Sequence, residues 1–332
     1  MEYKQLNIGY YCSTQIGDTI LSLKMLYSIK HIYNAKIIIF IENHNLKNLL
    51  NLNFIDQIQL INKNNIIQKI NNHKLDYLIS YISTYSTIQL LEQTNAKKII
   101  IKAKFKSILS MKCKVVFFNI LKRIYNNKNI EDLMLYYARK IQPKIFDKKI
   151  KNLYFDISIQ TTQKNKNLIN KFLYNNRINN FIIINPFSIS TKFNLNIFLY
   201  FDLIQKILNT KNISIVIPTY NRVYKYFIEK ITEFDSKLLT KIFIFQNNND
   251  ILNLVELISK SKCVISPSTG VIHIASNLKI SSIGLYSKKD SIYWSTYNKD
   301  YVFIDAIHNK FSRNDADKII SDVINKLQKY IS

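Results

Sequence analysis

Residues 263–286, CVISPSTGVIHIASNLKISSIGLY, decide the fold. A short β-branched run over 263–266 breaks at Pro267, Ser268, Thr269 and Gly270. A helix-period segment follows over 270–277, and a second β-branched run spans 281–286. Strand, turn, helix and strand in that order call for a parallel sheet covered by helices, the α/β class.

The alternation extends outward in both directions. Strand-like runs stand at 181–185, 213–217 and 241–245, and earlier at 5–11, 36–41 (KIIIFI), 76–81, 97–101 and 114–118. Helix-period segments lie between them at 18–33, 45–51, 83–93, 130–141, 163–176, 195–209, 222–232 and 250–260. The pattern is interrupted between 150 and 180 by a polar stretch rich in Asn and Lys. At 332 residues the chain suits two domains of about 150 residues each. The reading is therefore two Rossmann-like, doubly wound domains, 1–155 and 156–312. A last helix in 313–332, from Ala316 to near Tyr330 and capped by Asn314 or Asp315, is expected to pack back toward the N-terminal domain.

Composition excludes several classes. Hydrophobic residues make up 47% and aromatics 13%, too many for a disordered chain. No run reaches the roughly 20 apolar residues of a membrane span, and MEYKQLNIGYYC lacks a signal peptide's order of regions, so a cytoplasmic protein is expected. Cys12, Cys113 and Cys263 are scattered and odd in number, which reads as buried free thiols. Lys and Arg outnumber Asp and Glu by 47 to 22, a field that attracts phosphates, anionic membranes or nucleic acid. The excess is local: residues 97–128 hold ten basic side chains, among them Lys102, Lys104, Lys106 and Lys112, with apolar residues interleaved and no acid.

Glycine is scarce, at Gly9, Gly17, Gly270 and Gly284 only, so each should sit where a side chain does not fit or φ is positive. Gly17 and Gly270 each open a helix after a strand and loop, where open α/β sheets bind ligands.

Three patches, in order, resemble glycosyltransferase family 9, the lipopolysaccharide heptosyltransferases. QIGDTILSLKMLYSIKHIYNAKIIIFI (15–41) is similar to the family's N-terminal glycine–aspartate loop, helix and strand. FIIINPFSISTKF (181–193) is similar to the strand and lysine-bearing loop that open its second domain. Residues 256–294, around SPSTGVIH, are similar to its donor motif. KLDYLISYISTYSTIQLL and NIEDLMLYYARKI also fall where the family has comparable segments.

The resemblance implies a GT-B arrangement with an interdomain cleft, an acceptor-binding first domain and a donor-binding second. It implies Asp18 as the general base that deprotonates a sugar hydroxyl, the alternative being a first-turn acid that stabilises its helix. It implies Lys192 as the cation facing the departing diphosphate, with hydroxyls from Ser188, Ser190 and Thr191 nearby. Ser268, Thr269 and Gly270 would cradle the pyrophosphate, His273 would support the donor site, and Tyr220 and Asn221 fall at the nucleotide's ribose. Gly17 and the lysines at 102, 104, 106 and 112 would face the acceptor or the inner-membrane surface. The implied donor is ADP-heptose, a substrate rather than a cofactor. The implied acceptor is an anionic, lipid-linked saccharide of the lipopolysaccharide core.

The chain departs from the family at several points. Ser268 replaces an aspartate, Val271 and Ile272 replace proline and methionine, IPTYNRVYKYF lacks the carboxylate expected for the ribose, and Lys24 stands where proline is frequent. These departures leave another nucleotide sugar open within the same family. No metal site is expected, because the only Asp-x-Asp pattern, Asp315 to Asp317, opens the last helix. The rival classes are a basic nucleic-acid-binding protein, for which no RNP, zinc-finger or helix-turn-helix pattern is present, and an inactive scaffold.

Overall fold

The computed structural model describes residues 5–13, 15–126, 128–188, 194–294, 298–304 and 312–331. The chain divides into two compact units, 1–158 and 159–332, against an expected boundary at 155/156.

The first unit is built on six parallel strands: β1 (Asn7–Cys12), β2 (Lys36–Ile41), β3 (Gln57–Leu60), β4 (Tyr77–Ser80), β5 (Lys98–Lys102) and β6 (Cys113–Val116). Their order across the sheet is β3-β2-β1-β4-β5-β6. The central strands are apolar along nearly their whole length because helices cover both faces; in KIIIFI everything after Lys36 is buried. Register is set by pairs such as Ile8 with Ile37 and with Tyr77. Gly9 meets the first of its expected reasons: a Cβ there would lie 2.5 Å from a Leu75 methyl and 3.0 Å from the Phe40 ring. None of the four glycines has a positive φ, so the second reason applies to none.

The second unit repeats the plan with β7 (Phe181–Ile184), β8 (Ser214–Thr219), β9 (Phe243–Gln246), β10 (Cys263–Pro267), β11 (Ser282–Tyr286) and β12 (Lys299–Phe303). Its order is β12-β11-β10-β7-β8-β9. Counted from its own first strand, this is the order of the first unit read from the other edge. In both sheets the chain winds one way from the first strand and the other way from the fourth. The loops after those two strands diverge there and leave a crevice at their carboxyl ends, where doubly wound proteins bind ligands. The crevices lie beyond β1 and β4 in the first unit, and beyond β7 and β10 in the second.

Several sequence expectations need correction. β3 and β12 were not anticipated, and each is an edge strand: QIQL is only half buried, and KDYVF buries a single residue. QIQL alternates polar and apolar residues and KDYVF opens on two charges, so neither shows the apolar run that marks a central strand and that the edge strands β6 and β9 keep in part. The last helix runs over Arg313–Ile331, earlier than expected. Its first turn is held by Ser312, whose Oγ accepts from the Asp315 amide and donates to the Asp315 carboxylate, in place of an Asn314 or Asp315 cap. Its buried face, Ile319, Ile320, Val323 and Leu327, belongs to the core of the second unit. Cys12 and Cys263 are buried free thiols as read, whereas Cys113, on the edge strand β6, is half-buried.

No helix among the described residues is long and apolar enough to cross a membrane.

Candidate active site

In the first unit, β1 ends at Cys12 and the helix Ile16–Tyr33 begins four residues on, behind an extended Gln15 that makes no side-chain cap. Gly17 and Asp18 fall in the helix's first turn. A carboxylate there is favoured by the helix dipole but penalised by burial. Burial wins: desolvation pushes the Asp18 carboxyl up to about 6, with the Lys122 ammonium pulling against it.

Asp18 lines a cavity of about 520 Å³ at the β1/β4 crevice. The segment after β4 contributes Tyr81, Ser83 and Thr84 to its wall, and the end of β5 and the turn beyond it contribute Lys102, Lys104 and Lys106. Three of the four lysines expected to serve an acceptor are thus brought to the one carboxylate expected to act on it. Lys112 is not. Its ammonium is spent on the Glu92 and Thr94 carbonyls at the end of the helix Tyr85–Glu92, which fastens the approach to β6. Other members of the basic run are also used internally: Lys97 pairs with Asp76 at 2.7 Å, and Lys114 donates to the Lys140 and Ile141 carbonyls.

Behind the cavity lies an aromatic floor. Tyr81 meets the buried Phe118 ring edge-on at 5.5 Å, and Phe118 in turn contacts Tyr137. The ammonium groups of Lys102 and Lys122 stand 5.7 and 5.3 Å from the centre of the Phe118 ring. Burial, then the neighbouring Lys102 charge, pull the Lys122 ammonium down to about 7, while Asp18 works in the opposite direction. Sequence reading missed Lys122 because it is one lysine among many and lies far from Asp18 in the chain. Lys24, where the family often has proline, forms an ion pair with Asp132 at 2.5 Å and so joins the helix Ile16–Tyr33 to the helix Ile130–Arg139.

In the second unit the β7/β10 crevice is closed by a hydrogen-bond network. Asn185, directly after β7, donates from Nδ2 to Ser266 Oγ at 3.0 Å and to Thr269 Oγ1 at 3.3 Å, and the two hydroxyls share a bond of 3.0 Å. Thr269 is the N-cap of the helix Gly270–Asn277, yet its side chain does not cap it. The hydroxyl is held by the network, so it does not occupy the helix N-terminus, where the Ile272 N–H donates to the Thr269 carbonyl and Gly270 and Val271 precede it. Asn185 carries this arrangement and was passed over by sequence reading, although a lone Asn closing an apolar strand before proline in FIIINP is a signal for it.

His273, in the first turn of that helix, is buried, and its Nδ1 has no hydrogen-bond partner among the described residues. Desolvation, then the Lys299 charge, hold its pKa well below the usual imidazole value, so it is neutral. Ser268 hydrogen-bonds the buried Tyr286 hydroxyl, which also accepts from Lys299 Nζ at 2.7 Å. Lys299 lies over the Tyr286 ring, 4.7 Å from its centre, and comes from the edge strand that the sequence did not reveal. Gly284 makes room for this stack: a Cβ there would come within 2.4 Å of the Tyr286 ring and 2.9 Å of the Lys299 stem.

Tyr220 and Asn221 open the helix Asn221–Asp235 just beyond β8, with Asn221 accepting from Gln246. Ser188 is half-buried shortly after Asn185. Ser190, Thr191 and Lys192 lie outside the described residues. Asp315 is engaged with Ser312, and Asp317 with Lys206 at 2.7 Å, so the Asp-x-Asp pattern serves its helix. Among the described residues no group of three or more His, Cys, Asp and Glu side chains could hold a metal.

The family model for glycosyltransferase family 9 (heptosyltransferase) matches residues 125–320. No curated protein sequence matches the chain. Among solved structures, a glycosyl transferase family 9 protein from Veillonella parvula is similar at a TM-score of 0.73 and 13% identity, over 100% of this chain and 91% of that one. The E. coli ADP-heptose lps heptosyltransferase II gives 0.73 and 11%, over 98% of each chain. E. coli heptosyltransferase WaaC, with ADP-2-deoxy-2-fluoro heptose, gives 0.65 and 12%, over 97% of this chain and 100% of that one. These likenesses establish the shared fold, two doubly wound units of the GT-B class. With more than half of its length matched by the family model, the chain belongs to glycosyltransferase family 9.

Proposed function

We propose that the enzyme transfers heptose from ADP-heptose to an anionic, lipid-linked saccharide of the lipopolysaccharide or lipooligosaccharide core, in one displacement that inverts the anomeric centre. The observation that carries this reading is a largely buried carboxylate in a cavity lined by three lysines. A carboxyl with a pKa of about 6 is ionised at neutral pH and still basic enough to share a proton, as a general base must be. The lysines give that base a surrounding suited to an acceptor bearing phosphate or carboxylate groups.

In the reaction the acceptor oxygen bonds to the anomeric carbon as its proton passes to Asp18. The bond from that carbon to the phosphate oxygen breaks, and its electron pair leaves with the nucleoside diphosphate. The growing charge is met by the backbone N–H groups that open the helix at Gly270, by Thr269 and Ser268, and by Lys192, in place of a divalent cation. His273, being neutral, offers a donor or an acceptor without adding charge. Tyr220 and Asn221 hold the nucleotide's ribose. The enzyme works as a peripheral protein on the cytoplasmic face of the inner membrane.

The donor is supported by the family's description and by the ADP-heptose analogue in the WaaC structure. One observation favours a different nucleotide sugar: Ser268 stands where the resembled family has an aspartate, and it hydrogen-bonds the Tyr286 hydroxyl that Lys299 also reaches. A panel of nucleotide sugars scored by released nucleoside diphosphate separates the two. Turnover with ADP-heptose supports the first. Turnover with another donor while ADP-heptose stays inert overturns it.

A further inference from the structure

Seven of the sixteen large apolar side chains exposed among the described residues fall between Phe105 and Ile124. The helix Phe105–Leu109 turns Phe105, Ile108 and Leu109 outward, at 81, 52 and 68% exposure, around a buried Ser107. Met111, in the turn before β6, is 94% exposed. The helix Phe118–Ile124 continues the surface with Phe117, Ile120 and Ile124, whose spacing of three and four places them on one face. β6 is the outer strand of its sheet, so all of these side chains lie along one edge of the first unit.

A protein partner would have to match an apolar strip studded with cations. A bilayer supplies both complements at once, hydrocarbon beneath and anionic head groups above. Lys104 and Arg123 are exposed within the strip, and residues 97–128 contain no carboxylate to repel such a surface. The strip is continuous with the Asp18 cavity, because Phe105 and Tyr85, at 81 and 69% exposure, also line that cavity.

We propose that residues 105–124 form a bilayer-docking edge that takes an anionic lipid surface and turns the mouth of the Asp18 cavity onto it. A lipid-linked acceptor then reaches Asp18 from the membrane plane without passing through water. This last step rests on the function proposed above; the docking does not.

The test is flotation of the full-length protein with vesicles of phosphatidylcholine alone or mixed with phosphatidylglycerol. The unaltered protein is expected to float with the mixed vesicles, and a variant combining L109S, M111S, I120S and I124S to bind at least tenfold more weakly at an unchanged melting temperature. If that variant does not fold, R123E, which leaves the apolar strip intact, is expected to weaken binding to the anionic vesicles only. Failure of the unaltered protein to float, or equal flotation of the variants, overturns the proposal. So does a concentration-dependent dimer that the serine variant abolishes, since a second copy would then cover the edge. Flotation as expected without turnover of any nucleotide sugar leaves the docking standing and removes the catalytic reading.

Discussion

Replacing Asp18 with asparagine removes a charge that the fold holds at a cost. A carboxyl raised from 3.8 to about 6 by burial binds its proton more tightly in the folded than in the unfolded chain. The associated stability is fully present below the unfolded value and is lost as pH rises through the folded one. At pH 8 the difference of roughly two units corresponds to a penalty of about 3 kcal/mol. At pH 5, where the folded carboxyl is mostly protonated, about half of that penalty remains. The amide of D18N avoids the penalty, so the variant should be the more stable protein, by up to about 3 kcal/mol at pH 8 and about half as much at pH 5. For a unit of this size that corresponds to about 6–12 °C in melting temperature at the higher pH. Lys122 enters the comparison in a defined direction: with a pKa of about 7 it is largely neutral at pH 8 and charged at pH 5, where its pull on Asp18 makes the penalty smaller still. Thermal melts of both proteins at the two pH values, beside a turnover assay, provide the measurement. A gain that grows with pH, together with loss of turnover, supports a base held ready at the expense of stability. A D18N variant that is less stable at pH 8, or whose advantage ignores pH, refutes the argument.

Turnover of the unaltered enzyme should fall about tenfold per pH unit below 6, because only the ionised Asp18 accepts a proton. K122M should move that acid limb to higher pH by removing the charge that favours ionisation, while K122R should leave it near its original position; a profile that K122M does not shift would separate Lys122 from the base. H273N should not displace the limb, since burial holds the His273 pKa well below the usual imidazole value. N185A should raise the donor's KM by about tenfold, the worth of one or two buried hydrogen bonds, with little change in acceptor KM. G284A should cost about 1–3 kcal/mol in denaturant unfolding, because its methyl collides with the Tyr286 ring.

The strands that the sequence revealed most plainly are those buried on both sides, although the edge strands β6 and β9 were also read, at 114–118 and 241–245. KIIIFI, FIIIN and CVIS announce central strands because nearly every position is apolar. QIQL and KDYVF at the edges carry no such run and were missed. The site follows the same division. Asp18, Thr269 and Gly270 stood out as candidates because each sits where a central strand hands over to a helix, a place visible in the pattern itself. Asn185, Tyr81, Lys122 and Lys299 act through neighbours distant in the chain, and no spacing rule connects Lys299 to Ser268 or Lys122 to Asp18. The basic run was read as one surface, but its members part company in three dimensions. Lys102, Lys104 and Lys106 reach the cavity, while Lys97, Lys112 and Lys114 brace the unit's own backbone and side chains.

The shared strand order carries a consequence for how such a chain can change over time. Each reactive loop leaves from the middle of its sheet, so substitutions can accumulate along the periphery without reaching the chemistry. Only the central strands need to stay oily, and almost any mixture of isoleucine, valine and phenylalanine satisfies that demand. A lineage drifting toward Asn, Lys and Ile can thus rewrite nearly nine positions in ten, as the 11–13% identities to solved relatives imply, and still fold to the same plan.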